Sequence, residues 1–191
     1  TSVTSFYNRE IFYEWRKRGG DEKANKITRE STFRGTKYHD LVEHYLRNED
    51  INKIDNVLPS TKFLFLSSKA NLNRINNIHA LEKSLYSDYF GLAGRVDCIA
   101  EYDGELAVID FKTSTKIKPE EWIENYFVQE TAYACMYYEM TGIPVKKLIT
   151  IMVAENGECI VYEKRNKDHY IKLLTRYIKK FVEHKTRDYG N

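Results

Sequence analysis

Apolar residues in the first third of the chain recur at helical spacing. One face of a first helix is formed by Phe6, Ile11, Phe12 and Trp15. This pattern breaks at Gly19-Gly20, and a second helix is predicted from about residue 28. A third is predicted from Pro59 towards residue 74, because proline is favoured in the first turn of a helix. The pattern therefore predicts a helical N-terminal part.

Between residues 78 and 112 the apolar residues form short runs typical of strands, and Asp103-Gly104 is a strong hairpin signal. A helix is predicted from residue 119 to residue 140, ended by Gly142. Two strands (145–153 and 159–162) and a last amphipathic helix follow. This order predicts an α/β fold of the α+β sandwich type. We expect one domain over residues 1–191, with a helical part at 1–77 and a catalytic core at 78–191.

The composition adds few constraints. The fraction of hydrophobic residues, 42%, argues against a disordered chain, and no apolar run has the length that a bilayer requires, so no membrane association is expected. The formal charge of +2 neither indicates nor excludes a nucleic-acid partner. Cys98, Cys135 and Cys159 are isolated, which argues against a disulfide framework or a zinc ribbon and favours a reducing intracellular location.

Three polar residues in the predicted strands suggest chemistry. Asp110 and Lys112 share one face of a strand because side chains alternate, and Phe111 points to the other face. The hairpin would bring Asp97 to the level of Asp110, and two carboxylates with a backbone carbonyl can hold Mg²⁺. Such a site could hydrolyse phosphodiesters, with Lys112 as a catalytic residue. However, an acid two residues before a lysine is more commonly a solvated strand face.

The order of motifs adds a resemblance to a known family. Gly94-Arg95-Val96-Asp97, the run 110–114 and the run 129–133 resemble motifs of the RecB-like branch of the PD-(D/E)xK nucleases. The resemblance implies a restriction-endonuclease-like mixed sheet flanked by helices, and one or two Mg²⁺ or Mn²⁺ ions. Asp97, Asp110 and the Phe111 carbonyl would be metal ligands, and Asp97, Asp110 and Lys112 the catalytic residues. Gly35-Thr36-Lys37-Tyr38-His39 resembles the motif in which histidine is a further ligand.

The same resemblance implies contacts with DNA. Gln129 and Tyr133, four residues apart on one helical face, would contact the DNA backbone or brace the lysine. The alternative is a core tyrosine beside a polar neighbour. Thr113, Ser114 and Arg34 are the other candidate DNA contacts, although the two hydroxyls could equally cap a turn. Glu43 and Glu82 could approach the metal, but we do not include them in the core set.

The N-terminal segment carries Ser2-Val3-Thr4, Trp15-Arg16, Gly20, Ala24 and Ile27 ahead of Arg34. In these residues it is similar to the same segment of phage exonucleases and mitochondrial genome maintenance exonucleases. This similarity implies a metal-dependent exonuclease that cuts single-stranded DNA from free ends, with residues 48–77 as an arch over the strand. The alternatives are a structure-specific or RNA-directed endonuclease and an inactive nucleic-acid-binding module. No iron–sulfur cluster is expected, since the four cysteines that hold one in related nucleases are missing. A phage origin, with the protein in the host cytoplasm, is favoured over the mitochondrial matrix.

Overall fold

The computed structural model describes residues 3–4 and 9–189. Val3 and Thr4 are helical, and three longer helices follow in the described chain: α1 (Arg9–Gly19), α2 (Asp21–Leu46) and α3 (Pro59–Leu72). Helix α2 starts well before residue 28. The sequence pattern does not reveal this earlier start because the first turns of the helix are polar and carry little apolar periodicity. Phe12, predicted to face inward, is 45% exposed, so α1 contributes less to the core than its pattern indicated. Phe6 lies outside the described residues.

The rest of the described chain alternates strands and helices. Three strands, β1 (Ile75–Ser87), β2 (Leu92–Tyr102) and β3 (Glu105–Ser114), are followed by helix α4 (Glu124–Thr141). Strands β4 (Lys147–Ala154) and β5 (Cys159–Lys164) and helix α5 (Lys167–Tyr189) complete it, and short 3-10 turns lie at Ile51–Lys53 and Glu120–Trp122. The predicted hairpin between β2 and β3 is confirmed.

The five strands form one mixed sheet in the order β1-β2-β3-β4-β5. Strands β3 and β4 are parallel, from Ala107↔Lys147 to Ser114↔Ala154, and the other pairs are antiparallel. A parallel pair needs a long crossover, and α4 supplies it. Strand β4, between β3 and the edge strand β5, is buried along its whole length, as expected for a strand covered on both faces.

Helices cover the two faces of the sheet with separate cores. On one face Phe127, Tyr133 and Leu174 from α4 and α5 pack with sheet residues such as Val108 and Met152. On the other face α2 and α3 pack on the odd-numbered residues of β3, and their buried contacts are Tyr38, Leu41, Leu64, Phe65, Ile109 and Phe111. The predicted α/β sandwich is therefore correct. Among the described residues, no helix has both the length and the apolar character that a membrane span requires.

Candidate active site

The sheet opens between β2 and β3, and the opening positions the first carboxylate. The ladder of paired residues runs from Tyr102↔Glu105 to Cys98↔Ile109 and ends there. Asp97, the next residue of β2, accepts a hydrogen bond from the Phe111 N–H through Oδ2 at 2.9 Å. Because this side chain replaces a strand–strand bond, Asp97 is held between the two strands and beside the Phe111 peptide.

Helix α2 brings the predicted histidine to the same point. His39 Nε2 lies 2.9 Å from the Phe111 carbonyl oxygen, and Nδ1 lies 3.8 Å from Asp97 Oδ2. Burial lowers the pKa of His39, but Glu82 and Asp97 outweigh it, so this pKa is raised above its ordinary value. The structure thus brings His39, Asp97 and the Phe111 carbonyl together, as the sequence predicted.

Glu82 of β1 belongs to this group as well, although the sequence analysis left it out. One ligand atom each from His39, Glu82 and Asp97 lies within 4.8 Å of the others, and Glu82 Oε1 is 3.6 Å from His39 Nδ1. Glu82 has a left-handed backbone, with φ of 48°, which is uncommon for a residue other than glycine. Arg95 Nε donates to its carbonyl at 2.9 Å and pairs with its Oε2 at 2.8 Å. Glu43 instead pairs with Arg47.

The second predicted carboxylate lies on the side of β3 that faces α4. Asp110 is only 2% exposed, and its carboxylate forms an ion pair with the Lys112 ammonium, although neither oxygen accepts a well-aligned hydrogen bond among the described residues. Burial raises the pKa of Asp110 to about 6 in spite of Lys112. Burial would lower the pKa of Lys112, but Asp110 and Asp97 raise it overall. Lys112 therefore stays a cation between two carboxylates.

A buried glutamate that the sequence did not single out lies beside this pair. Glu130 of α4 is fully buried and accepts a hydrogen bond from the hydroxyl of Thr150, which is the register partner of Asp110 in β4. Burial raises the pKa of Glu130 well above its usual range, and the negative charge of Asp110 adds to this effect. Both causes favour the neutral form of Glu130.

The five predicted DNA contacts lie around this centre. Gln129 donates a hydrogen bond to the Tyr133 hydroxyl at 3.3 Å, and Tyr133 is buried. This arrangement favours a role in bracing Lys112 over direct contact with DNA. Thr113 and Ser114 lie within β3 instead of capping a turn, because pairing with β4 continues to the end of the strand. Arg34 of α2 forms an ion pair with Glu155.

The donor set fits a hard divalent cation. Carboxylates, a carbonyl and an imidazole converge, and in the part of the chain that the structure describes the cations paired with these carboxylates are Lys112 and Arg95. Asp110 Oδ1 is buried without a hydrogen-bond donor in the described chain, so a cation would satisfy it. His39 Nε2 and the Phe111 oxygen are 2.9 Å apart, the distance of a hydrogen bond in the absence of an ion and also close to the separation of about 3 Å between neighbouring ligands of an octahedral ion with bonds of about 2.1 Å.

Comparison with known proteins identifies the family of this chain. The model of the PD-(D/E)XK nuclease superfamily matches residues 60–187. The human mitochondrial genome maintenance exonuclease 1 is 30% identical over 113 residues, which are 59% of this chain and 30% of that protein. The Xenopus tropicalis protein of the same name is 33% identical over 100 residues, 52% of this chain and 28% of the relative. The match thus spans less than a third of each relative.

The fold is also found in a solved structure of low sequence identity. A crystal structure from Eubacterium rectale, named as a candidate exonuclease, aligns with a TM-score of 0.52 at 9% identity, and covers 81% of this chain and 66% of that one. At this identity the likeness concerns the fold alone. Since the family model spans about two thirds of the sequence, the chain belongs to the PD-(D/E)XK nuclease superfamily.

Proposed function

We propose that this chain is a metal-dependent exonuclease that hydrolyses phosphodiester bonds of single-stranded DNA from free ends. One observation carries the proposal: His39, Asp97 and the Phe111 carbonyl converge at the opening between β2 and β3, on the strand that also presents Asp110 and Lys112. Members of this superfamily are nucleases that use divalent metals. The names of the curated relatives support the exonuclease activity.

In this proposal His39, Asp97, Asp110 and the Phe111 carbonyl hold one or two Mg²⁺ or Mn²⁺ ions. An ion held by these residues would supply charge neutralisation on the scissile phosphate and activation of the attacking water. For His39 to offer the Nε2 lone pair, its proton must lie on Nδ1, which faces Glu82. A carboxylate at that place fixes the tautomer of a metal-binding histidine, so we assign this positioning role to Glu82, with Arg95 holding it.

Lys112 has a separate role in the proposal. Its ammonium group is held beside Asp110 on the α4 side of the strand, where it can neutralise the charge that develops on the phosphoryl oxygens. The Tyr126 ring, whose centroid is 5.2 Å from Lys112 Nζ, adds a contact that favours the cation. Tyr133 and Gln129 complete the wall of α4 on this side.

The threading arch predicted for residues 48–77 is not part of the proposal. Helix α3 makes up half of that range, and Leu64, Phe65 and Leu72 bury it against the sheet. For the location we favour the mitochondrial matrix over a phage origin, since the curated relatives are mitochondrial by name.

The test uses end-labelled linear and circular single strands with Mn²⁺. We expect digestion of the linear strand, no cleavage of the circle, and loss of activity in Asp110→Ala and Lys112→Ala. Glu43→Gln, on the same helix as His39 but paired with Arg47, is the matched control. Cleavage of the circle would establish an endonuclease instead. If the linear strand stays intact while Mn²⁺ still binds, the chain is a binding module and the proposal fails.

A further inference from the structure

A groove with a volume of about 690 Å³ begins where β3 ends. It is lined by residues 113–119, by Ser31 and Arg34 of α2, and by Trp122. Lys112 directly precedes the first of these residues in the chain, and Thr113 lies beside Gly35, which lines the pocket that contains His39 and Glu82. The groove therefore borders the candidate active site.

The groove has the chemistry of a phosphate-binding surface. Its lining includes three cations, Arg34, Lys116 and Lys118, and the hydroxyls of the threonine and serine residues from 113 to 115. In the described chain, no carboxylate lines it. Three acids lie within two residues of Trp122: Glu120 pairs with Lys164, Glu124 pairs with His169, and Glu121 directly precedes the indole. Arg34 is paired with Glu155, so Lys116 and Lys118 supply the positive charge that is not offset by an ion pair in the described chain. Hydroxyl, arginine and lysine side chains are the usual partners of nucleic-acid phosphates.

Trp122 gives the groove an aromatic wall, and its indole is not part of either hydrophobic core described above. Its side chain is 72% exposed, while the next residue, Ile123, is fully buried. The Trp122 N–H donates to the Pro119 carbonyl at 3.0 Å and the Ile123 N–H donates to the Glu120 carbonyl at 3.1 Å, so the backbone of the short turn that carries the indole is fixed. An exposed indole on a fixed backbone offers a flat surface on which an unpaired base can stack.

We propose that this groove is a binding subsite for unpaired nucleotides, in which Trp122 stacks on a base and residues 113–118 hold the adjoining phosphates. The inference rests on the proposed nuclease function, and it explains how the protein would distinguish a single strand from a duplex. A base inside a duplex is paired and stacked on both faces, so it cannot cover the indole. The single strand is thus favoured by stacking, while the cations attract both forms.

The experiment measures binding of a ten-residue oligothymidylate in EDTA, where no cleavage interferes. In a Trp15→Phe background the emission comes from Trp122 alone, since the chain has two tryptophans. We expect the oligonucleotide to quench this emission and a blunt duplex of equal length to leave it nearly unchanged. Trp122→Ala should weaken binding of the single strand about tenfold or more, and Trp122→Phe should retain most of it.

Two controls make the result specific. Tyr89 is 85% exposed, but its N–H bonds to Glu139 near the far end of α4, so Tyr89→Ala should bind the single strand normally. Lys116→Gln should reduce the dependence of log K on log salt by about 0.7, as expected for one lost phosphate contact to a single strand. Thermal melts of each variant check that it is folded.

The groove proposal is overturned if Trp122→Ala binds the single strand within twofold of the parent, or if the duplex quenches Trp122 equally. Because binding is read without metal, its failure is distinct from failure of the nuclease. A protein that digests DNA but binds independently of Trp122 refutes the groove alone. One that binds through Trp122 but never cleaves refutes the catalytic proposal alone.

Discussion

Removing the Lys112 ammonium should destabilise the metal-free protein in a manner that depends on pH. Lys112→Met keeps most of the side-chain volume but leaves the Asp110 carboxylate, 2% exposed, without its cation and close to Asp97. Breaking a buried ion pair by removing one partner costs roughly 3–5 kcal/mol. In a chain of this length, that loss corresponds to a decrease in Tm of about 10 °C.

The pH dependence of stability follows from the direction in which the pKa of Asp110 is shifted. Its pKa is about 6 in the folded protein and 3.8 in the reference state, so the folded form binds the proton more tightly. The stability that this group contributes is greatest below pH 3.8, falls as pH rises through about 6, and is then constant. The difference of about two units corresponds to about 3 kcal/mol. Without Lys112 the pKa of Asp110 must rise further, because the charge that lowers it is gone. Asp110 is then protonated at pH 4.5 and charged at pH 7.5, so Lys112→Met should lose much less stability at pH 4.5 than at pH 7.5.

Urea unfolding at these two pH values, in EDTA, measures the effect. Lys116→Met is the matched control, because this lysine is exposed and lies four residues further along the chain. Saturating Mn²⁺ at pH 7.5 should restore part of the lost stability, since a cation that binds only the folded state stabilises it. A loss below about 1 kcal/mol at pH 7.5, or an equal loss at both pH values, would refute the reasoning.

Three further changes have separate outcomes. Asp97→Ala should abolish Mn²⁺ binding in calorimetry and remove the hydrogen bond to the Phe111 N–H; unchanged binding would exclude Asp97 as a ligand. Glu82→Gln should weaken Mn²⁺ binding about 10- to 100-fold, as expected for loss of a carboxylate that orients a histidine ligand, with Glu43→Gln unaffected. Gly142→Ala should cost about 1 kcal/mol in thermal melts, because its φ of 73° at the end of α4 strains alanine, whereas Gly19→Ala, without a positive φ, should not destabilise.

The sequence predicts the local features of this fold well. Asp103 and Gly104 both have positive φ, as the hairpin signal requires, and Gly142 ends α4 in the left-handed conformation. The alternation along β3 also holds, since Phe111 packs against α2 and α3 while Asp110 lies on the opposite face. Each of these features depends on a residue and its immediate neighbours, and so it can be recognised without knowledge of the tertiary structure.

The parts of the site that were missed depend on long-range packing. Glu82 lies opposite Asp97 only because β1 pairs with β2 in the register Leu81↔Cys98 and Lys83↔Val96. Its left-handed backbone has no signal in the sequence, since glutamate rarely adopts it. Glu130 gains its position from the packing of α4 on β4, and a glutamate within a helix is usually exposed. The predicted carboxylates were found because they interrupt apolar runs, which Glu82 does not.

The most direct test of the metal site is a crystal of the protein soaked in Mn²⁺, with data collected to locate the anomalous scattering of manganese. The proposal predicts a peak about 2.2 Å from Asp97, Asp110, His39 Nε2 and the Phe111 carbonyl oxygen, with Glu82 bonded to His39 Nδ1. A peak located elsewhere, such as at Glu43 and Asp40, or no peak under conditions in which the protein digests DNA, would contradict it.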